Sequence, residues 1–171
     1  MLKRVSQSVA GDRPFDLLAF LEGPTQAIGL FEDRLGRVKR SFTADMQGHR
    51  RGNILELTES FLFDNGVAET RVWRLTPDGR GSFAGMCHDA IGEAIGVHGQ
   101  GTATMTYRMG LEIGRRKITF GFRDLFVAVD DTTVLNRATV SKWGLRVGQV
   151  LIVFRKASSG ESANGSVMNK K

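Results

Sequence analysis

Five ionisable side chains fall where an alternating apolar pattern points toward a core: Arg40, Glu59, Glu69, Arg71 and Asp124. Charges on the core side of a sheet cost several kcal/mol each unless they are paired, so each asks for a reason. Three of them lie in one predicted hairpin. Every second residue of its first arm reads Leu55, Leu57, Glu59, Phe61, Phe63, and of its second arm Val67, Glu69, Arg71, Trp73, Leu75. Asp64-Asn65-Gly66 between the arms makes a natural three-residue loop. With Phe63 facing Val67, the register sets Glu59 opposite Arg71 and Leu57 opposite Trp73.

Two chemistries fit such a set. Two bases and three acids can form a hydrogen-bonded network that fixes strand register. Alternatively they are the few convergent polar groups of a ligand pocket whose walls are apolar, with Trp73, Tyr107, Phe120 and Phe122 as neighbours. An Arg beside a Tyr suits a carboxylate head group, because the guanidinium offers a planar fork of donors. A third reading makes Glu59 or Asp124 a general acid or base, but the sequence pairs neither with a nucleophile or an oxyanion stabiliser.

Other chemistry finds little support, and no catalytic residue, metal site or cofactor is expected. His49, His88 and His98 lack a spacing that aims two of them at one point, and the single cysteine, Cys87, has no partner for a disulfide or a zinc pair. Cys87 reads as a small buried hydrophobe. Strand alternation places it and His88 on opposite faces, which excludes a direct nucleophile–base pair. Gly96-Val-His-Gly-Gln-Gly101 fits neither nucleotide fingerprint.

The net charge of +6 is spread thinly: +2 falls on residues 1–14 and +1 on residues 157–171, leaving +3 for the rest. The basic clusters Arg50-Arg51 and Arg115-Arg116-Lys117 sit in predicted turns, without the interleaved aromatics of a nucleic-acid face, and read as solubility devices. No apolar stretch is long enough for a membrane span. The start, Met1 to Gly11, is basic but lacks a continuous apolar run. It is not read as a signal peptide, and cytoplasmic residence is the expectation.

The elements that must position these residues are almost all strands. Residues 1–14 read as a flexible segment, 15–156 as one domain and 157–171 as a disordered tail rich in Ser, Gly and Asn. Pro14 and Gly23-Pro24 bracket one or two helical turns over Phe15–Leu21. Period two then takes over: about Ala27 to Arg34, then Arg37 to Gln47 with Val38, Arg40, Phe42, Ala44 and Met46 on one face, then a polar loop at 48–53 and the hairpin. Beyond it, Thr76-Pro-Asp-Gly79 is a turn, and pairing Thr76 with Arg80 places Phe83, Gly85 and Cys87 opposite Trp73, Arg71 and Glu69. Gly85 would then leave volume beside the Arg71 guanidinium. A weaker strand over Ile91–His98 precedes a strong one over Thr102–Ile113, with Tyr107 inward. Ile118, Phe120, Phe122, Asp124 and Phe126 form the next inward row. Val134–Thr139 and Val147–Phe154 complete nine or ten strands.

Short turns and an unbroken meander predict an all-β, antiparallel up-and-down barrel, lipocalin-like (calycin-type), with the N-terminal helical segment capping one end. Closure removes the sheet edges; a β-sandwich is the alternative.

Six segments occur in an order that resembles a family: Gly29-Leu-Phe-Glu-Asp-Arg34, Arg40-Ser-Phe-Thr-Ala-Asp45, Phe63-Asp-Asn-Gly66, Arg71-Val-Trp-Arg-Leu-Thr76, Gly92-Glu-Ala-Ile-Gly96 and Asn136 to Gly144. The pattern is similar to that of the bacterial domain-of-unknown-function family thirty-eight thirty-three, over about Phe15 to Lys156. Trp73 and Lys142-Trp143-Gly144 are its most specific parts. The resemblance implies a lipocalin-like barrel and brings no established activity or catalytic residue. Many members look like lipoproteins with a lipid-anchored cysteine, which this chain lacks. Near Arg123-Asp124-Leu125-Phe126 the family usually reads Asp-Asp-Trp; the Trp is missing here, while Asp124 matches. The functional expectation is a binding protein for a small amphipathic ligand, lipid or fatty-acid-like, held by Arg40, Glu59, Glu69, Arg71, Trp73, Tyr107, Phe120, Phe122 and Asp124. The alternative is a non-catalytic structural protein whose barrel is filled by side chains.

Overall fold

In a computed structural model, residues 13–157 are described. The flexible segment and tail expected at the termini lie, but for residues 13, 14 and 157, outside the described residues. Asp16 opens the helix α1 (Leu17–Leu21), its carboxylate accepting from the Ala19 amide at 3.1 Å, as an N-cap does. The chain then alternates through β1 (Gly23–Asp33), β2 (Val38–Arg51), β3 (Ile54–Phe63), β4 (Ala68–Pro77), β5 (Ser82–Cys87), β6 (Ala94–His98), β7 (Thr102–Ile113), β8 (Arg116–Ala128), β9 (Thr133–Lys142) and β10 (Leu145–Lys156). Each strand pairs antiparallel with its neighbour in sequence, and β10 pairs with β1 to close the barrel. Closure excludes the sandwich and leaves the sheet without a free edge.

The hairpin forms in the expected register, with Leu57 opposite Trp73 and Glu59 opposite Arg71. Gly66 takes φ 79°, and the Phe63 amide donates to the Val67 carbonyl at 2.9 Å. Two local expectations fail. The polar stretch 48–53 is not a loop: β2 runs through Arg51, because Gly48 lies under the end of α1. A Cβ there would strike the Leu21 carbonyl, so the missing side chain lets the helix rest on the strand. The β4–β5 register is also different. Cys87 faces Trp73, Gly85 faces Leu75 and Phe83 faces Pro77. The cause is a longer turn in which the Asp78 carboxylate accepts from the Arg80 and Ser82 amides, with Gly79 and Gly81 both at positive φ. Gly85 therefore packs against Leu75 and Met105 and leaves no space beside Arg71.

Because the chain simply runs up and down, odd-to-even turns share one end of the barrel and even-to-odd turns share the other, with α1. The core sits at the α1 end. Leu17, Leu18, Leu55, Leu75, Phe83 and Val134 are all buried there. Lys156 fixes the helix by donating to the Phe20 carbonyl at 2.8 Å and to the Glu22 carbonyl. A cation is well placed at those unpaired helix-end carbonyls.

Candidate functional site

Above the α1 plug the barrel encloses a cavity of about 840 Å³. Leu17, Leu21, Leu57 and Phe154 form its floor; Phe42, Phe61, Phe63 and Phe120 ring its upper part. All nine residues expected at a site line it, but at two depths. Arg40 and Glu69 are exposed at the mouth, and Arg40 lies over the Phe63 ring at 5.0 Å. They are not buried charges, since Val38, Arg40 and Glu69 lie where the strands rise past the packed interior. Ile113, on the same alternating row of its strand as Tyr107, is exposed too. Phe120 and Phe122 are half-buried wall residues.

The remaining five residues form a belt at mid-depth, drawn from β3, β4, β7 and β8. Arg71 Nη1 lies 3.9 Å from Glu59 Oε2, and Arg71 Nε lies 3.8 Å from Asp89 Oδ2. Both separations exceed hydrogen-bond length, so the guanidinium is balanced by charge without being tied down. It also lies over the Phe61 ring at 5.2 Å. Tyr107 stacks on Phe122 with centroids 5.0 Å apart and meets Trp73 edge-on at 5.3 Å. These contacts fix the phenol against the wall.

Burial sets the protonation of the belt. It pushes Glu59 up to about 7, against the pull of Arg71 and the Trp73 indole. Burial likewise pushes Asp124 up to about 7, with the Tyr107 hydroxyl working the other way and Glu59 adding to the rise. Tyr107 itself is held well above the ordinary phenol range by burial and by Asp124. Near neutral pH the belt thus holds one fixed cation, a neutral phenol and two carboxyls that are each close to half-protonated.

Three atoms of this belt and its floor are buried without a hydrogen-bond partner: Arg71 Nε, Asp124 Oδ1 and Asn136 Nδ2. Asp124 and Asn136 are only 6% and 5% exposed. Buried polar atoms in native proteins are nearly always satisfied. Three on residues that line one cavity stand out, although Thr25 Oγ1 and His98 Nε2 are also buried without hydrogen-bond partners away from it.

Asn136 and Asp89 escaped the sequence reading. Asn136 had a signal, since Val134, Asn136, Ala138 and Val140 are buried at period two along β9. Asp89 had none, because it comes from the β5–β6 loop. The exclusion of a Cys87–His88 contact also fails. Cys87 ends β5, alternation stops there, and His88 Nδ1 turns back to 3.9 Å from the thiol. Burial raises the Cys87 thiol, which keeps it protonated and a poor nucleophile.

Among solved structures the barrel is similar to the S-type phycobiliprotein lyase CPES from Guillardia theta, with a TM-score of 0.62 and 8% identity over 83% of this chain and 91% of that one. It is also similar to a protein of unknown function from the DUF3598 family of Nostoc punctiforme, with a TM-score of 0.59 and 13% identity over 90% of this chain. The matched part is 53% of that protein, so the chain spans about half its length. At such identities the likeness is one of fold, and it supports the calycin-type barrel. No curated protein matches the sequence. The family model described as Protein of unknown function (DUF3833) matches residues 3–156, and the chain belongs to that family.

Proposed function

We propose that the barrel binds a small amphipathic ligand, lipid or fatty-acid-like, in its interior. The observation that carries this reading is a cavity of about 840 Å³ lined by Arg71, Asp124 and Asn136, each of which has a buried polar atom without a hydrogen-bond partner. That volume lies within the range of small-molecule pockets, and the wall is largely aromatic and aliphatic. A barrel filled by its own side chains would leave no such space.

Arg71 receives the anionic end of the ligand, since its guanidinium makes no direct hydrogen bond to either neighbouring acid. Tyr107 and Asn136 add neutral donors, while Trp73, Phe120 and Phe122 flank the apolar part. Arg40 and Glu69 stand at the mouth, where they meet a ligand on entry. Glu59 and Asp124 make room for an anion by taking up protons, which groups titrating near 7 do at little cost.

Native mass spectrometry of the purified chain, with a thermal-shift panel of fatty acids and lysophospholipids, tests the reading. A stoichiometric adduct, or a shift with one class that Arg71→Met removes, is the expected result. Absence of any adduct together with absence of any shift refutes it.

A further inference from the structure

We propose that one arc of the open rim docks on the surface of an anionic phospholipid bilayer. This rests on the outside of the rim and not on what the cavity holds. The strand order β2-β1-β10-β9-β8-β7 makes the β1–β2, β9–β10 and β7–β8 turns neighbours on that rim. Each carries an apolar tip that the barrel leaves outside. Leu35 and Val38 stand on the first, Trp143 and Leu145 on the second and Ile113 on the third.

Trp143 is the most telling of them. With Gly144 it forms a two-residue turn in which both residues have positive φ, 52° and 78°. Asn or Gly takes that position freely, whereas a bulky residue there is strained. The indole gains little apolar packing in return, for Trp143 is 88% exposed, and Leu145 beside it is 72% exposed. An amphipathic ring held out at a turn tip suits a membrane–water interface.

Charge decides which surface the tips meet. Arg34, Arg115, Arg116, Lys117, Lys142 and Arg146 have no ion-pair partner among the described residues, and all flank these three turns. Lys142 stays at the tip, its Nζ 4.4 Å from the centre of the Trp143 ring. The other two turns of the same rim, β3–β4 and β5–β6, carry Asp64, Asp89 and Glu93 and no Lys or Arg, although Val67 and Ile91 are exposed there too. On the basic arc Asp33 is paired with Arg37 and Lys39, and Glu112 stands beside Ile113. The rim is therefore polarised. Bases alternating with exposed apolar tips complement a negative headgroup layer, where each basic side chain adds attraction and each tip inserts.

Co-sedimentation of the full chain with vesicles tests this, comparing pure phosphatidylcholine with a mixture containing about one-third phosphatidylglycerol. The expected result is sedimentation with the anionic vesicles only, with a blue shift of tryptophan emission that brominated lipid quenches. Trp73 is buried, so that signal reports Trp143. The double variant Arg115→Glu, Arg116→Glu lowers partitioning by about twentyfold or more. Trp143→Asn, which suits the turn, keeps the melting temperature, abolishes the emission shift and weakens binding. The proposal is overturned by no sedimentation, by equal sedimentation with neutral vesicles, or by binding that neither variant weakens, which would place the contact on another part of the chain. Capture of a soluble acidic polypeptide without any vesicle binding overturns it in favour of a protein partner. Thermal shift with free fatty acid reports on the cavity separately, so failure of either proposal is visible by itself.

Discussion

At the end of the barrel that holds α1, side chains answer one another. Asp16 caps the helix, Lys156 takes its last carbonyls, Arg50 meets Glu22 at 2.9 Å, and Leu17, Leu18 and Leu55 close the interior. At the other end the inward rows run out into Phe42, Phe63 and Phe120 around an open mouth, and the turns expose Leu35, Trp143 and Leu145. The same hairpin architecture thus spends one end on stability and leaves the other unsatisfied. Elements that must admit a ligand or meet a partner come from the less consolidated part of a fold. The belt of Glu59, Arg71, Tyr107 and Asp124 marks the boundary between the two.

Substitutions should separate these ends by the size of their effect. Gly48→Val is the largest expected, because its side chain meets the Leu21 carbonyl and must displace the plug. A loss of about 3 kcal/mol or more by urea denaturation is the outcome to look for. A near-neutral result would mean that α1 contributes little to closure.

The belt comes next, through pH. Glu59 and Asp124 titrate near 7 when folded, against 4.5 and 3.8 for the ordinary side chains, so the folded protein binds protons that the unfolded chain has lost. Stability therefore falls as pH rises from about 4 to about 7 and is level above that. The loss is on the order of 3 kcal/mol for each carboxyl taken alone. Glu59→Gln or Asp124→Asn should flatten the curve measured by denaturant midpoints. An unchanged slope in both variants would show that these carboxyls are ionised throughout.

A smaller structural effect is expected from Arg71→Met. Removing one member of a buried ion pair is ordinarily severe, about 3–5 kcal/mol. Here the separation is 3.9 Å and Glu59 can protonate instead, so a loss of about 1 kcal/mol at pH 6 is expected, together with loss of anionic ligand. A severe loss would favour a structural network over a pocket. Binding of an anionic head group also raises the two carboxyls, so affinity should weaken as pH climbs through 7 to 8 when followed by calorimetry. Smallest of all, Leu145→Ala at the open rim should change stability by roughly 0.5 kcal/mol or less, against the several kcal/mol of a buried leucine.

Much of the barrel was legible because a meander declares itself locally. The loop Asp64-Asn65-Gly66 and the alternation on either side were enough to pair Glu59 with Arg71. Where a turn could be closed in more than one way, the reading failed. Thr76 to Ser82 contains two glycines and an aspartate able to accept from two amides, and the longer closure shifted β5 away from Arg71. The loop at Gly48 was misread because its cause lies in α1, some thirty residues earlier in the chain.

The sequence by itself determined which face of each strand points inward, since side chains alternate with a period of two and apolar residues report it. From that followed an antiparallel meander and the membership of Glu59, Arg71, Tyr107 and Asp124 in one lining, whereas the pairing of β1 with β10 decided for a closed barrel over a sandwich. Height along the barrel axis was decided only by the tertiary structure. Strand tilt and stagger carry some inward positions past the packed core, and a period-two pattern holds no record of them. Hence Arg40 and Glu69 stand in solvent at the mouth, while Asp124 Oδ1 and Asn136 Nδ2 lie buried without a hydrogen-bond partner. Asp89 reaches Arg71 from a loop that has no period at all.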